Sequence, residues 1–284
     1  MMRRFRDLFA VADLEQVPAD GKVQWDPQNP ASERWLISVG LTAFVMAMLL
    51  LSTGNFTGGF LELNRLTTVV PAIFWENATG FGKPLILFGV FTFVARRHPQ
   101  LLWSLFLAAI VGALLSDGLK TLIDTPRPAG LLQPDQFRLI GPVYAYYAAP
   151  SGHSLTIFAF TGICLYGVKQ NSTRVLLTLF AVLVAISRVA VGAHWLFDIL
   201  LGAAVGSFTA WVGMKLSMFW PYGLKRTVHY LLIGLLLVNA VVLIYHGSVY
   251  QGGALLARMI GCAALTVIIY QYALFPVLRK HNRS

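Results

Sequence analysis

A run of about 20 mostly apolar residues is long enough to cross the hydrocarbon core of a bilayer as a helix. This chain has several such runs: 36–54 carries no charge at all, and 101–116, 154–168, 175–187, 199–214, 228–245 and 259–278 follow, some shortened by the charged residues that bound them. Inside lipid every backbone N–H and C=O must be paired within the segment, so runs of this kind fold as helices packed on one another. The predicted fold is therefore all-α, a polytopic transmembrane helical bundle. A weaker run, 79–95, is interrupted by Lys83 near its start, and counting it gives eight spans. The stretch before it, 56–77, contains Glu62, Arg65, Pro71 and Glu76 and reads as an interfacial or re-entrant segment.

Composition agrees. The chain is 57% hydrophobic and 12% charged, against roughly 45–50% and about 25% in soluble domains. Cys164 and Cys262 are too few for a disulfide framework, and both lie inside apolar runs, where they read as small buried hydrophobes. The net charge of +10 is scattered among apolar segments, so it points to membrane asymmetry and to no nucleic-acid partner. Arg3, Arg4 and Arg6 are followed by Asp7, Asp13 and Glu15 where a signal peptide would need apolar residues, so 1–34 reads as a cytosolic tail. With eight spans and the N-terminus inside, 15 of the 22 Lys and Arg fall on the inner side. The outer side keeps Arg65, Lys83, Lys120, Arg127, Arg138, Arg188 and Arg258, and both termini are expected in the cytosol.

A cation at the end of an apolar span is costly unless something holds it there. Three of the outer ones stand in notable company: Lys120-Thr-Leu-Ile-Asp-Thr-Pro-Arg127-Pro128, then Pro150-Ser151-Gly152-His153, then Ser187-Arg188 followed by His194 and Asp198. The fourth span leads away from this face and the fifth returns to it, so all three segments share one side of the membrane. Lys120, Arg127 and Arg188 suffice to neutralise a phosphate dianion and the charge that develops during its transfer. Ser151 and Gly152 precede a helix, where backbone N–H groups and the helix dipole favour an anion. His194 and Asp198 are four residues apart, so a carboxylate on the same helical face can fix the imidazole tautomer and leave the other ring nitrogen free to attack phosphorus. His153 is available to protonate the leaving oxygen. Each residue alone has a plainer reading: snorkelling cations, a helix stop at Pro126 and Pro128, an N-cap at Asp198. Asp117 and Asp124 flank Lys120 at helical spacing and read as its charge partners.

The pattern Lys-x6-Arg-Pro, Pro-Ser-Gly-His and Ser-Arg-x5-His-x3-Asp resembles the type 2 phosphatidic acid phosphatase family over about 54–214, with no substitution in the three motifs. The resemblance implies His194 as the nucleophile that becomes a phosphohistidine, with Asp198 orienting it and His153 as general acid. Lys120, Arg127, Arg188, Ser151 and Gly152 would hold the phosphate, with no metal or other cofactor. It divides the chain into the tail 1–34, a six-span phosphatase core 35–217, and 218–284, two additional spans with a short basic tail. Those extra spans are free to line a lipid entrance, mediate dimerisation or thicken the bundle. The connection 129–149, with Tyr144, Tyr146, Tyr147 and Arg138, is a candidate cap over the site.

The expected function is hydrolysis of a lipid phosphate or diphosphate at the extracytoplasmic face, in a bacterial inner membrane with the site toward the periplasm. The partners are the bilayer and a membrane lipid phosphate: phosphatidate, phosphatidylglycerophosphate, undecaprenyl diphosphate and lipid A all fit. Alternatives are a lipid phosphotransferase using the same site and a non-enzymatic anion-binding membrane protein.

Overall fold

The computed structural model describes residues 29–53 and 56–274. The tail cations Arg3, Arg4, Arg6, Lys22, Arg279, Lys280 and Arg283 lie outside these residues. The fold is an all-α polytopic bundle, and no strand occurs among the described residues. Among the described residues ten α-helices of seven residues or more make it: α1 Pro30–Ser52, α2 Phe60–Leu66, α3 Ala72–Gly80, α4 Pro84–Ala95, α5 Pro99–Ile123, α6 Gly152–Leu165, α7 Asn171–Ala190, α8 Leu196–Phe219, α9 Arg226–His246 and α10 Ala254–Ile268.

Among the described residues six segments, those of α1, α5, α7, α8, α9 and α10, are each long and apolar enough to cross a membrane, and α3 with α4 make a seventh if a bent pair is counted as one span. The weak run anticipated at 79–95 is instead two helices, α3 and α4, bent by 64°. Pro84 opens α4 and forces Lys83 out of the helical region, to φ −88° and ψ 131°, so the helix cannot run through. The fourth expected span, α6, has only 14 residues, about 21 Å at the helical rise and short of the roughly 30 Å hydrocarbon core. Most of α6 is buried among its neighbours. Protein surrounds it where lipid would otherwise do so, which frees its length from the bilayer thickness.

Chain direction sorts the two ends of the bundle. α6 starts at one end and α7 returns to it, so Ser151 and Arg188 share that end while Leu165 and Asn171 share the other. Arg174 locks the far end: its guanidinium donates to Ser32 Oγ (3.2 Å), Asn29 Oδ1 (3.3 Å) and the Val168 carbonyl (3.1 Å). The Lys215–Glu33 pair (2.8 Å) closes α8 onto α1 at the same end.

α8 is the central helix, packed on α1, α5, α6 and α7. Gly202, Gly206, Ala210 and Gly213 form a stripe of small residues along it. Without a hydrophobic drive between helices in lipid, such stripes let backbones approach and gain dispersion contacts. At Gly206 a Cβ would lie 2.3 Å from the Leu155 carbonyl oxygen, which is backbone and cannot swing aside. Gly206→Val is therefore expected to push α6 off α8 and to destabilise the protein by about 1–3 kcal/mol. Thermal unfolding in detergent checks this; an unchanged midpoint would show that the α6–α8 spacing is not set here.

α9 and α10 pack on α4, with Asn239 Nδ2 donating to the Leu85 carbonyl (3.0 Å). Their connecting loop, 247–253, reaches the site end, where Glu76 Oε2 accepts from Gly252 N–H (2.5 Å). Of the two cysteines expected to be buried, Cys164 is half-buried and Cys262 exposed, because it faces outward from α10.

Candidate active site

The turn between α7 and α8 determines where His194 points. Gly192 holds φ +75°, and a Cβ there would sit 2.6 Å from the Arg138 carbonyl, so glycine serves both the turn and the close approach. Ala193 N–H then closes on the Arg188 carbonyl (3.0 Å). Trp195, nearly fully buried, donates Nε1–H to the Pro126 carbonyl (2.7 Å) and fastens this turn to the segment that carries Arg127.

His194 is 2% exposed, and its Nδ1 is 3.2 Å from Asp198 Oδ2. The same carboxylate oxygen accepts the Trp195 backbone N–H at 2.9 Å, so Asp198 caps α8 and orients the imidazole together. With Nδ1–H donating to Asp198, Nε2 keeps its lone pair and faces Arg127, whose Nη1 is 3.4 Å away. Burial, and then the charges of Arg127 and Arg188, hold the His194 pKa well below the ordinary histidine value, which keeps the ring neutral at pH 7.

The cations around it are held chiefly by uncharged groups. Arg127 donates Nε–H to the Tyr146 carbonyl (2.9 Å) and lies 5.2 Å over the Tyr144 ring. Arg188, 2% exposed, donates from Nη1 to Thr79 Oγ1 (2.6 Å) and to Tyr250 OH (3.0 Å). Lys120 points at the start of α6, 3.9 Å from where a Cβ on Gly152 would be, so glycine leaves that approach open. Positive charge gathered without carboxylate partners at hydrogen-bond range is suited to an incoming anion.

Ser151, Gly152 and His153 open α6 beside these groups. Ser151 Oγ, His153 Nε2 and Arg188 Nε are all buried and lack a protein partner. Buried polar atoms are ordinarily paired, and three unpaired ones beside a cluster of cations leave hydrogen-bonding capacity for an incoming anion. One expectation changes in detail: the Ser151 N–H donates to the Asp198 carbonyl (2.9 Å), so Ser151 offers its hydroxyl to an anion while Gly152 is left to offer a backbone N–H. No group of three His, Cys, Asp or Glu side chains converges as metal ligands among the described residues.

All eight residues singled out in the sequence thus lie at one end of the bundle, on α5, α6, α7, α8 and the turns between them. Asp117 acts on the Lys120 ammonium through charge without touching it: among the described residues neither Asp117 nor Asp124 comes within 4.0 Å of Lys120, and Asp117 is exposed. Arg138 is turned away, donating to the Thr67 and Val70 carbonyls, while the side chains of Tyr144, Tyr146 and Tyr147 are exposed. The connection 129–149 grips Arg127 through the Tyr146 and Tyr147 carbonyls and lays the Tyr144 ring against the guanidinium. Sequence reasoning missed Thr79 and Tyr250, the two partners of Arg188. Neither stands in a motif, and only Lys83, a cation out of place near a span start, marked that region.

Residues 101–222, which include all eight, match the model of the PAP2 superfamily. The chain is 28% identical over 128 residues to an undecaprenyl-diphosphatase of Sulfolobus acidocaldarius, covering 45% of this chain and 61% of that protein's length. A crystal structure of LpxE from Aquifex aeolicus is 27% identical with a TM-score of 0.47, covering 55% of this chain and 94% of that one.

Proposed function

We propose, from the match of residues 101–222 to the PAP2 superfamily, that this protein is a member of that family and a membrane phosphatase that cleaves a lipid phosphate or diphosphate through a phosphohistidine on His194. One observation carries the reading: His194 Nδ1 is tied to Asp198 at 3.2 Å while Nε2 faces Arg127 inside a cluster with Lys120 and Arg188. The undecaprenyl-diphosphatase of S. acidocaldarius supports a lipid-linked phosphate as substrate. In this proposal residues 35–217 form the catalytic core and 218–284 add two further spans. The site faces the extracytoplasmic side, the periplasm of a bacterial inner membrane, with both termini in the cytosol. The cationic far end, with Arg96, Arg97, Lys169, Arg174, Lys215, Lys225 and Arg226, supports that orientation.

The cycle has two displacements. Nε2 of neutral His194 attacks phosphorus, the bond to the lipid oxygen breaks, and His153 Nε2–H protonates that oxygen as it leaves. Water then attacks the phosphohistidine, His153 takes its proton, and the N–P bond breaks to release inorganic phosphate and regenerate His194. Lys120, Arg127, Arg188, the Ser151 hydroxyl and the Gly152 N–H bind the phosphoryl oxygens as charge builds on them. No step in this cycle is assigned to a metal.

Inorganic phosphate released from a panel of phosphatidate, phosphatidylglycerophosphate, undecaprenyl diphosphate and lipid A, with EDTA present, tests this reading. Release from at least one lipid is expected. Transfer of label from a donor to a second lipid in place of release would make the protein a phosphotransferase, and binding without turnover would make it an anion-binding protein. Loss of activity in EDTA that zinc restores would overturn the metal-free cycle. The lowered His194 pKa sets a pH dependence: protonating Nε2 removes the nucleophile, so the acid limb of kcat/KM belongs below about 6.5. A profile that instead falls on acidification from pH 8 to about 6.5 would show that His194 titrates normally.

A further inference from the structure

Lys83 stands at the corner between α3 and α4, directly after Gly82, and has no part in the cycle above. The Gly82 backbone lies so close to His153 that a Cβ there would be 2.5 Å from the His153 Cβ, which puts the corner against the proposed general acid. Lys83 Nζ is 3.4 Å from Ser248 Oγ and 5.8 Å from the centroid of the Tyr250 ring, on the loop between α9 and α10. Tyr250 OH in turn accepts from Arg188. A cavity of about 170 Å³ opens beside Lys83, with Asn77, His246 and Ser248 also in its wall. Among the described residues no carboxylate lies within 4.0 Å of Lys83. A half-buried ammonium near the Arg188 guanidinium, without a counter-charge, is costly and is well placed to meet an anion.

We infer that Lys83, with Ser248 beside it, forms a second anion subsite next to the His194 site, and that this subsite takes the inner phosphate of a lipid diphosphate. The inference rests on the phosphatase reading and narrows its substrate class. Lys120, Arg127 and Arg188 already match the charge of the phosphate under attack, and a second phosphate needs a further cation. When Nε2 of His194 attacks the terminal phosphorus, the bond to the bridging oxygen breaks. That oxygen departs as a terminal oxygen of the lipid monophosphate, taking the proton from His153, and Lys83 neutralises the charge left on the other oxygens of that phosphate. A monoester leaves as an alcohol with no phosphate to occupy this place. Lys83 and Tyr250 both lie outside the matched residues 101–222, so the bent pair and the C-terminal hairpin supply what that segment does not.

The test compares kcat/KM for a prenyl diphosphate and the prenyl monophosphate of the same chain, using the full-length protein in detergent. Lys83→Met is expected to lower the diphosphate-to-monophosphate ratio by about ten- to a hundredfold, the worth of one charge-assisted hydrogen bond. Lys83→Arg, which keeps the charge, is expected to restore the ratio to within about threefold. A ratio unchanged by Lys83→Met, or an equal fall in both rates, would overturn the subsite and leave Lys83 as a tie between the corner and the hairpin.

A measurement on the unaltered protein covers the case in which the variant does not fold. Methylenediphosphonate is expected to bind at least about tenfold more tightly than inorganic phosphate. Equal binding would overturn the proposal. If the unaltered protein cleaved neither lipid, the phosphatase reading would fall, while the two binding constants would still decide whether the second subsite exists.

Discussion

His194→Ala is expected to lower kcat by about 10⁴-fold or more, to the level that phosphate binding alone sustains. The geometry leaves no substitute for Nε2. His194 is almost fully enclosed, and the other imidazole of the site, His153, carries an unpaired Nε2 and no carboxylate on its ring. The variant should also fail to retain ³²P from labelled substrate as an acid-labile, alkali-stable adduct. Its fold should survive, because the contacts that tie this turn to its surroundings belong to Trp195, Ala193 and Asp198. Residual kcat above about a tenth of the unaltered value, in a protein of unchanged melting temperature, would remove His194 as the nucleophile.

Asp198→Asn should cost nearly as much, about 10³- to 10⁴-fold in kcat, with a far smaller change in KM. Asp198 Oδ2 accepts from both the Trp195 N–H and His194 Nδ1. An asparagine that keeps the backbone bond through its one oxygen turns its NH₂ toward Nδ1, or loses the second bond altogether. The imidazole then favours the tautomer with hydrogen on Nε2, which cannot attack. Asp198→Ala removes the cap as well and should cost about 1 kcal/mol of stability besides. Retention of kcat within about tenfold in Asp198→Asn would show that the carboxylate serves the helix and not the imidazole.

Much of this was legible because it is local. The length of an apolar run and the spacing of His194 and Asp198 on a helix are properties of a few neighbouring residues. Parity of the spans then carries Ser151 and Arg188 to one end without any knowledge of packing. The structure adds detail where two local rules compete. At 79–95 hydropathy favoured one span, and Gly82, Lys83 and Pro84 broke it into a bent pair. At Asp117 helical spacing made the carboxylate a charge partner of Lys120, and it acts on the ammonium only from a distance, because it faces outward while the ammonium turns to α6.

The sequence by itself determined an all-α membrane bundle, the three motifs, and the end of the bundle at which they meet. Only the tertiary structure decided that Arg188 is held by Thr79 and Tyr250, 109 and 62 residues away. It alone decided that the C-terminal hairpin, which had three plainer roles open to it, lays Tyr250 against Arg188 and Ser248 against Lys83. Apolar periodicity tells a helix that it must be covered, but not by what. The partner is chosen by how closely backbones can approach, and a stripe such as Gly202 to Gly213 takes its meaning only from the helix that packs into it.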